Sequence, residues 1–327
     1  MAAEDPAPEI SVILCTYDRP AALARCLDSL VAQRVSRPVE IVVVDNHPQS
    51  GRTAALLARY PSVRWLADPI AGLSQARNTG IRAARGQVLV ATDDDVIAPP
   101  EWLETLTAPL FSGDPTLGAT TGNCLALKQE TAAEQLFEAY GGLRHGEQAI
   151  RFDRRWLDSE RLFFPQLWRI GTTANAAFRA SVFADPRVGL FDTQLGVGTP
   201  VGAWEDLYCF YLMLRGGYAI QYLPQAVLRH AHREQMPALI RQLEGYRRGE
   251  TAFLVLMLLR HGDLRAIGQM LFWIPRWRLA LYVQEILRRL RGQRKFSLRI
   301  FWVECVAYLR GPMALWRSWP RKDTTRG

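Results

Sequence analysis

The sequence lacks the devices by which several classes of protein are recognised. Its longest uninterrupted apolar run, residues 252–259, falls far short of the roughly 20 residues a helix needs to cross a bilayer, so no spanning segment is expected. Residues 1–8 carry acids and prolines where a secretory leader needs a basic and then an apolar stretch, so no targeting signal is expected either. The five cysteines, Cys15, Cys26, Cys124, Cys209 and Cys305, are odd in number and not closely spaced. They supply neither a disulfide framework nor a zinc knuckle, and they point to a reducing compartment. No Gly-x-Gly-x-x-Gly opens the first turn and no Walker lysine motif occurs, which weakens ordinary dinucleotide and P-loop readings.

What is present is a chain of 327 residues, 49% hydrophobic and 22% charged, long enough for one large domain with an appendage or for two domains. The charge is uneven. From Arg233 onward there are 19 Lys and Arg against 7 Asp and Glu, an excess of 12, whereas the first 232 residues hold 21 against 25 and carry −4. A uniformly basic domain suggests nucleic acid; a basic segment behind an acidic domain suggests anionic lipid headgroups instead. No nucleic-acid partner is expected.

Strand-like runs at residues 9–15, 39–44, 63–66 and 87–91 alternate with a helix after Pro20 that carries Leu23, Leu27 and Leu30 on one face, a helix at 53–59, and a helix announced by Gly72 and Ser74. This rhythm predicts a parallel sheet with helices on both faces. The last strand is the centre of the chain's chemistry. Ser74 is expected to cap the helix before it and Gly86 to close that helix in a left-handed turn. The strand then runs into Asp93, Asp94 and Asp95. Three adjacent carboxylates repel one another and favour a cation, so they read either as a site for Mg2+ or Mn2+ with a diphosphate or as a solvated acidic turn. Thr16 and Asp18 follow the first strand, and Asp45 and Asn46 the second. Oxygen ligands should therefore crowd the carboxyl edge of one sheet, where open α/β sheets gather their ligands.

Further along, residues 141–165 read as a long excursion, and residues 171–179 as small residues that either let a ligand approach the backbone or form a tight turn. A glycine-rich loop, 196–202, leads to Trp204-Glu205-Asp206 at the start of a helix, and its glycines suit a lid. Glu205 and Asp206 are either caps of the first turn or catalysts. Pro224 should break the strand that begins at Ala219, and His230, at the end of the next short run, is either structural or a ligand.

Taken in order, seven motifs over residues 9–235 resemble family 2 glycosyltransferases with the GT-A fold: Ser11-Val12-Ile13-Leu14-Cys15-Thr16-Tyr17-Asp18-Arg19, Val42-Val43-Val44-Asp45-Asn46, Ala76-Arg77-Asn78-Thr79-Gly80, Thr92-Asp93-Asp94-Asp95, Ala174-Asn175-Ala176-Ala177-Phe178-Arg179, Trp204-Glu205-Asp206 and Arg229-His230. The resemblance implies a Rossmann-like, mainly parallel mixed sheet. It implies that Thr16, Asp18 and Asp45 face the base and ribose, with Arg77 near the base or diphosphate and Asp93 near the ribose and sugar. Tyr17, Asn78, Asp94 and Asn175 are expected in the same donor site. Asp95 would ligate Mn2+ or Mg2+, with His230 as second ligand; Asp206 would be the general base and Glu205 its neighbour. The family normally inverts the anomeric centre. Trp204 stands where the family often has glycine, and its indole either stacks on an acceptor sugar or fills core space. Gln242-Leu243-Glu244-Gly245-Tyr246 lacks the Arg and Trp of processive members, so a single transfer is expected.

The expected organisation is a catalytic domain at 9–235, with a nucleotide-binding half at 9–125 and an acceptor-binding half at 126–235. Amphipathic helices follow at 236–320, between flexible ends at 1–8 and 321–327. Helical patterns at 249–262, 277–292 and 297–310 mix arginine with Trp273, Trp277, Trp302, Trp316 and Trp319, half of the chain's ten tryptophans. They either lie on an anionic membrane or pack on the catalytic domain or another subunit. The whole reads as a transfer of one sugar from a UDP-, dTDP- or GDP-linked donor to a lipid-linked or glycan acceptor, on the cytoplasmic face of the membrane. The competing readings are a sugar nucleotidyltransferase and a carbohydrate-binding GT-A protein without activity. The first would want a glycine-rich triphosphate loop in place of Thr16-Tyr17-Asp18-Arg19.

Overall fold

The first apolar runs become strands covered on both faces, as β-branched residues flanked by crossover helices require. The computed structural model describes residues 7–291 and 297–319. The flexible ends expected at 1–8 and 321–327 fall outside it apart from residues 7 and 8, and so does Gly292. In chain order the strands are β1 (Ile10–Thr16), β2 (Val39–Asp45), β3 (Val63–Ala67), β4 (Val88–Asp93), β5 (Val96–Ile97), β6 (Leu117–Ala126), β7 (Ile150–Phe152), β8 (Asn175–Arg179) and β9 (Ala219–His230). The helices are α1 (Pro20–Val31), α2 (Arg52–Leu57), α3 (Leu73–Ala83), α4 (Trp102–Thr107), α5 (Ala132–Ala139), α6 (Arg154–Leu157), α7 (Ala180–Ala184), α8 (Glu205–Arg215), α9 (Met236–His261), α10 (Arg265–Gly268), α11 (Ile274–Leu290) and α12 (Leu298–Ser318).

One sheet runs β3-β2-β1-β4-β8-β6-β9-β5, with β7 added on β9. β1 pairs in parallel with β2 and β4, and β6 with β9; β8 lies antiparallel between β4 and β6. The sheet is therefore mixed and mainly parallel. Alternate residues of β1 feed two cores: Val12 and Leu14 pack with Leu23, Leu27 and Leu30 of α1, while Ile13 and Cys15 face the other side.

Four local expectations are corrected. α3 is capped by Gly72, and the Ser74 hydroxyl instead donates to the Leu195 carbonyl at 2.9 Å. Gly86 does not end α3 in a left-handed turn; a Cβ there would sit 2.7 Å from the backbone nitrogen of Ser11, so glycine is needed for close approach. Residues 171–179 are not one loop: a tight turn closes where the Asn175 amide donates to the Thr172 carbonyl at 3.1 Å, and Asn175–Arg179 form β8 inside the sheet, with Ala176 and Ala177 fully buried. Pro224 does not end its strand: β9 continues to His230 across a register shift that leaves residues 224–226 as a bulge against β6. The excursion at 141–165 contains β7 and α6.

The boundary expected at residue 235 is no gap in packing. α9 is 26 residues long, begins well before Gly249, and buries Ala252, Phe253 and Met257 in the same core as Tyr208 and Tyr211 of α8. α12 likewise runs on past Arg310.

Candidate active site

Because β1, β2, β4, β6 and β9 share one direction, their carboxyl ends meet at one edge. Register places Thr16 beside Asp45 and Cys15 beside Asp93. The acidic triplet then divides by burial. Asp94 is wholly buried and accepts from the Thr16 hydroxyl at 2.6 Å and from Arg19 Nε at 3.2 Å. Burial pushes its carboxyl up to about 6 against the pull of Arg19. Asp94 and Thr16 are thus engaged with each other as the anchor of the turn, a correction to their expected places at the donor, while Asp93 is partly exposed and Asp95 is buried beside His230.

Asp95 meets His230 Nε2 at 3.2 Å, Arg19 at 2.7 Å and Arg233 at 3.7 Å. Against the cost of burial, His230 and then Arg19 hold its carboxyl below the usual range. One ligand atom each from Asp93, Asp95 and His230 lies within 4.8 Å of the others. His230 Nδ1 is buried without a hydrogen-bond partner. Two carboxylates and an imidazole in this span fit Mn2+ or Mg2+ by size and ligand type.

At the β1 and β2 ends, Tyr17 is exposed and stacks on His47, with ring centroids 4.9 Å apart. Asp18 adopts a left-handed backbone (φ 55°) and pairs with Arg52. Asp45 accepts from the His47 amide at 3.0 Å. Each aspartate keeps one buried oxygen without a partner, Asp18 Oδ1 and Asp45 Oδ2. Such acceptors suit the N–H of a base or the hydroxyls of a ribose.

The buried guanidinium of Arg77 links this edge to α8, reaching Asp93 at 3.1 Å and Glu205 at 2.8 Å. Although burial works against its charge, Asp93 and Glu205 hold it above its ordinary value. Asp206, next along α8, is partly open to solvent and accepts from the Leu207 amide at 2.7 Å. Burial first, and then the charge of Glu205, push its carboxyl up to about 7. That range suits a general base. The turn before it has a left-handed residue, Trp204 (φ 74°), a conformation that glycine adopts most readily.

Three more expected contacts are turned into the fold. Asn78 exchanges two hydrogen bonds with the backbone of Phe191, at 2.8 and 2.9 Å. Asn175 donates to the carbonyls of Asn123 (3.0 Å) and Ala226 (2.8 Å) and accepts from the Trp102 indole at 2.9 Å, so its amide plugs the β9 bulge. The Trp204 indole donates to the Tyr246 carbonyl at 2.9 Å and packs on Phe253, the core-filling alternative. The loop 196–202, expected as a lid, is pinned by Leu73 N to the Val197 carbonyl (2.9 Å) and by Arg248 Nε to the Val201 carbonyl (3.1 Å). Arg19, His47 and Arg233 join the site beyond the expected residues. Adjacency to Asp18 and Asn46 signals the first two, but only folding brings Arg19 and Arg233 onto Asp95.

Curated relatives include an N-acetylglucosaminyltransferase of Sinorhizobium fredii, 26% identical over 80% of this chain and 63% of its own length. A glucosyl-dolichyl phosphate glucuronosyltransferase of Haloferax volcanii is 26% identical over 68% of this chain and 69% of its own. The chain spans about half the length of three further N-acetylglucosaminyltransferases it matches. Among solved structures, a mannosyltransferase of Pyrobaculum calidifontis, in complex with GDP-Man and Mn2+, shares the fold with a TM-score of 0.60 at 19% identity, covering 93% of this chain and 87% of its own. The family model described as Glycosyl transferase family 2 matches residues 11–185, more than half of the sequence, and the chain belongs to that family.

Proposed function

We propose that the chain is an inverting, metal-dependent glycosyltransferase that moves a single sugar from a nucleotide-diphosphate sugar to a lipid-linked or glycan acceptor at the cytoplasmic membrane surface. One observation carries this reading: Arg77 ties the Asp93, Asp95 and His230 cluster to the Glu205-Asp206 turn on one sheet edge. Residues 9–125 bind the donor and residues 126–235 the acceptor.

In this reading Asp18 and Asp45 present their free oxygens to the base and ribose, and Tyr17 offers a ring beside them. Asp93, Asp95 and His230 would hold the divalent ion, which when bound neutralises charge on the leaving diphosphate. Asp206 takes the proton of the acceptor hydroxyl as that oxygen attacks the anomeric carbon opposite the diphosphate, which inverts the centre. A base so placed is worth about 10²–10⁴ in rate. Glu205 is occupied by Arg77 and positions the turn.

The test is a thermal-shift screen against UDP, dTDP, GDP and their common sugars, with and without Mn2+. A ligand that binds only the folded state raises Tm. A metal-dependent shift with one diphosphate supports the reading and names the donor class; a folded protein that none of them shifts counts against it.

A further inference from the structure

α12 packs along the outer side of α9, and α11 is tied to the pair through the buried Arg278 and through Trp277, whose ring lies against Arg247. Glu304 of α12 meets Arg247 of α9 and Arg278 of α11, each at 2.9 Å, and the Tyr308 hydroxyl donates to Glu250 at 3.1 Å. These contacts fix the rotation of α11 and α12, and so decide which residues face away from the protein.

The outward residues of α12 are Trp302, Val306, Leu309, Met313 and Trp316, spaced 4, 3, 4 and 3 residues apart. At about 100° per residue they form a stripe about 80° wide. All are exposed, Leu309 to 82% and Trp316 to 71%. On α11, Leu279, Val283, Leu287 and Leu290 form a second stripe, with Leu290 79% exposed. Contiguous apolar surface of this kind marks an interaction site. No described helix is long and apolar enough to cross a membrane.

The charges on this surface select the occupant. Arg299, Arg310 and Arg317 fall on one flank of the α12 stripe, and Arg276 and Arg291 are exposed on and just after α11. The only acids of the two helices, Glu285 and Glu304, are buried. Of these arginines, Arg310 reaches an acid of α9, Glu244, at 3.5 Å. A second copy would therefore oppose arginine with arginine, whereas an anionic leaflet supplies both the apolar depth and the countercharge. We infer that the outward faces of α11 and α12 lie on an anionic lipid leaflet, Trp302 and Trp316 anchoring the two ends of the contact. This deepens the proposed placement at a membrane surface and rests on that reading only for its cellular meaning.

The experiment is flotation of the full chain with phosphatidylcholine vesicles, with and without phosphatidylglycerol, over a range of salt. Binding to the anionic vesicles alone, weakened by salt and accompanied by a blue shift of tryptophan emission, is the expected result. The triple variant Trp302→Glu, Leu309→Glu, Trp316→Glu should lose at least tenfold in vesicle affinity. It should keep the wild-type Tm and the wild-type response to nucleotide with Mn2+, which excludes misfolding. A wild-type chain that stays unbound, or a triple variant that floats like wild type, overturns the inference. So does wild-type self-association that the triple variant abolishes, because it assigns the face to a second copy. Vesicle binding with no response to any nucleotide leaves the docking face standing and removes the glycosyltransferase reading.

Discussion

Arg77 and Glu205, 128 residues apart in sequence, meet at 2.8 Å in the interior, and the same guanidinium reaches Asp93 at 3.1 Å. Removing one partner of a buried ion pair strands the other, at a cost of about 3–5 kcal/mol. Arg77→Met should lower the unfolding free energy by that order and weaken nucleotide binding, read by denaturant titration and thermal shift. A stability unchanged within error would show that the pair does not join the two regions.

Asp206 is the proposed base, and its removal should separate binding from chemistry. Asp206→Asn should keep the donor-induced Tm shift while the transfer rate falls by about 10²–10⁴. Wild-type turnover by this variant would take Asp206 out of the role.

The same carboxyl sets two pH dependences. Because it is pushed up to about 7, transfer should rise with pH and level off above that value. For stability the sign is opposite. The folded value lies above the unfolded one of about 3.9, so the native state binds the extra proton between roughly pH 4 and 7, and stability falls as pH rises through that window. Asp206→Asn should therefore raise Tm at pH 8 and leave it close to wild type below pH 4. Equal effects at both pH values would contradict the raised value.

The metal assignment can be tested without turnover. Asp95→Asn and His230→Ala should each weaken Mn2+ binding by more than about tenfold, measured by the electron paramagnetic resonance signal of free Mn2+. Asp94→Asn should instead destabilise the fold, since Asp94 is bonded to Thr16 and Arg19. Undiminished Mn2+ affinity in both ligand variants would place the ion elsewhere.

α12 lies against α9 at Gly311, where a Cβ would fall 1.9 Å from Thr251 Oγ1 and 2.6 Å from the Arg248 carbonyl. Gly311→Leu should cost about 1–3 kcal/mol through overpacking. No loss on equilibrium unfolding would mean that the two helices do not touch there.

The sequence by itself determined the strand and helix alternation, the acids at three strand ends and the basic tail. These are local signals: β-branched runs, helical periodicity and charge counts are read within a few residues. Even the stripes of α11 and α12 are latent in their 3-and-4 spacing, although only the packing of α12 on α9 and of α11 on α12 turned them outward. Tertiary structure alone decided which acids of the triplet face the site, because Asp94 is claimed by Thr16, 78 residues away. It decided that Asn175 serves a bulge between β6 and β9, that Trp204 packs on α9, and that Arg19 and Arg233 converge on Asp95. A polar side chain reads the same in sequence whether a ligand or the fold takes its hydrogen bonds. Only the distance to its partners, set by chain segments far apart, separates the two.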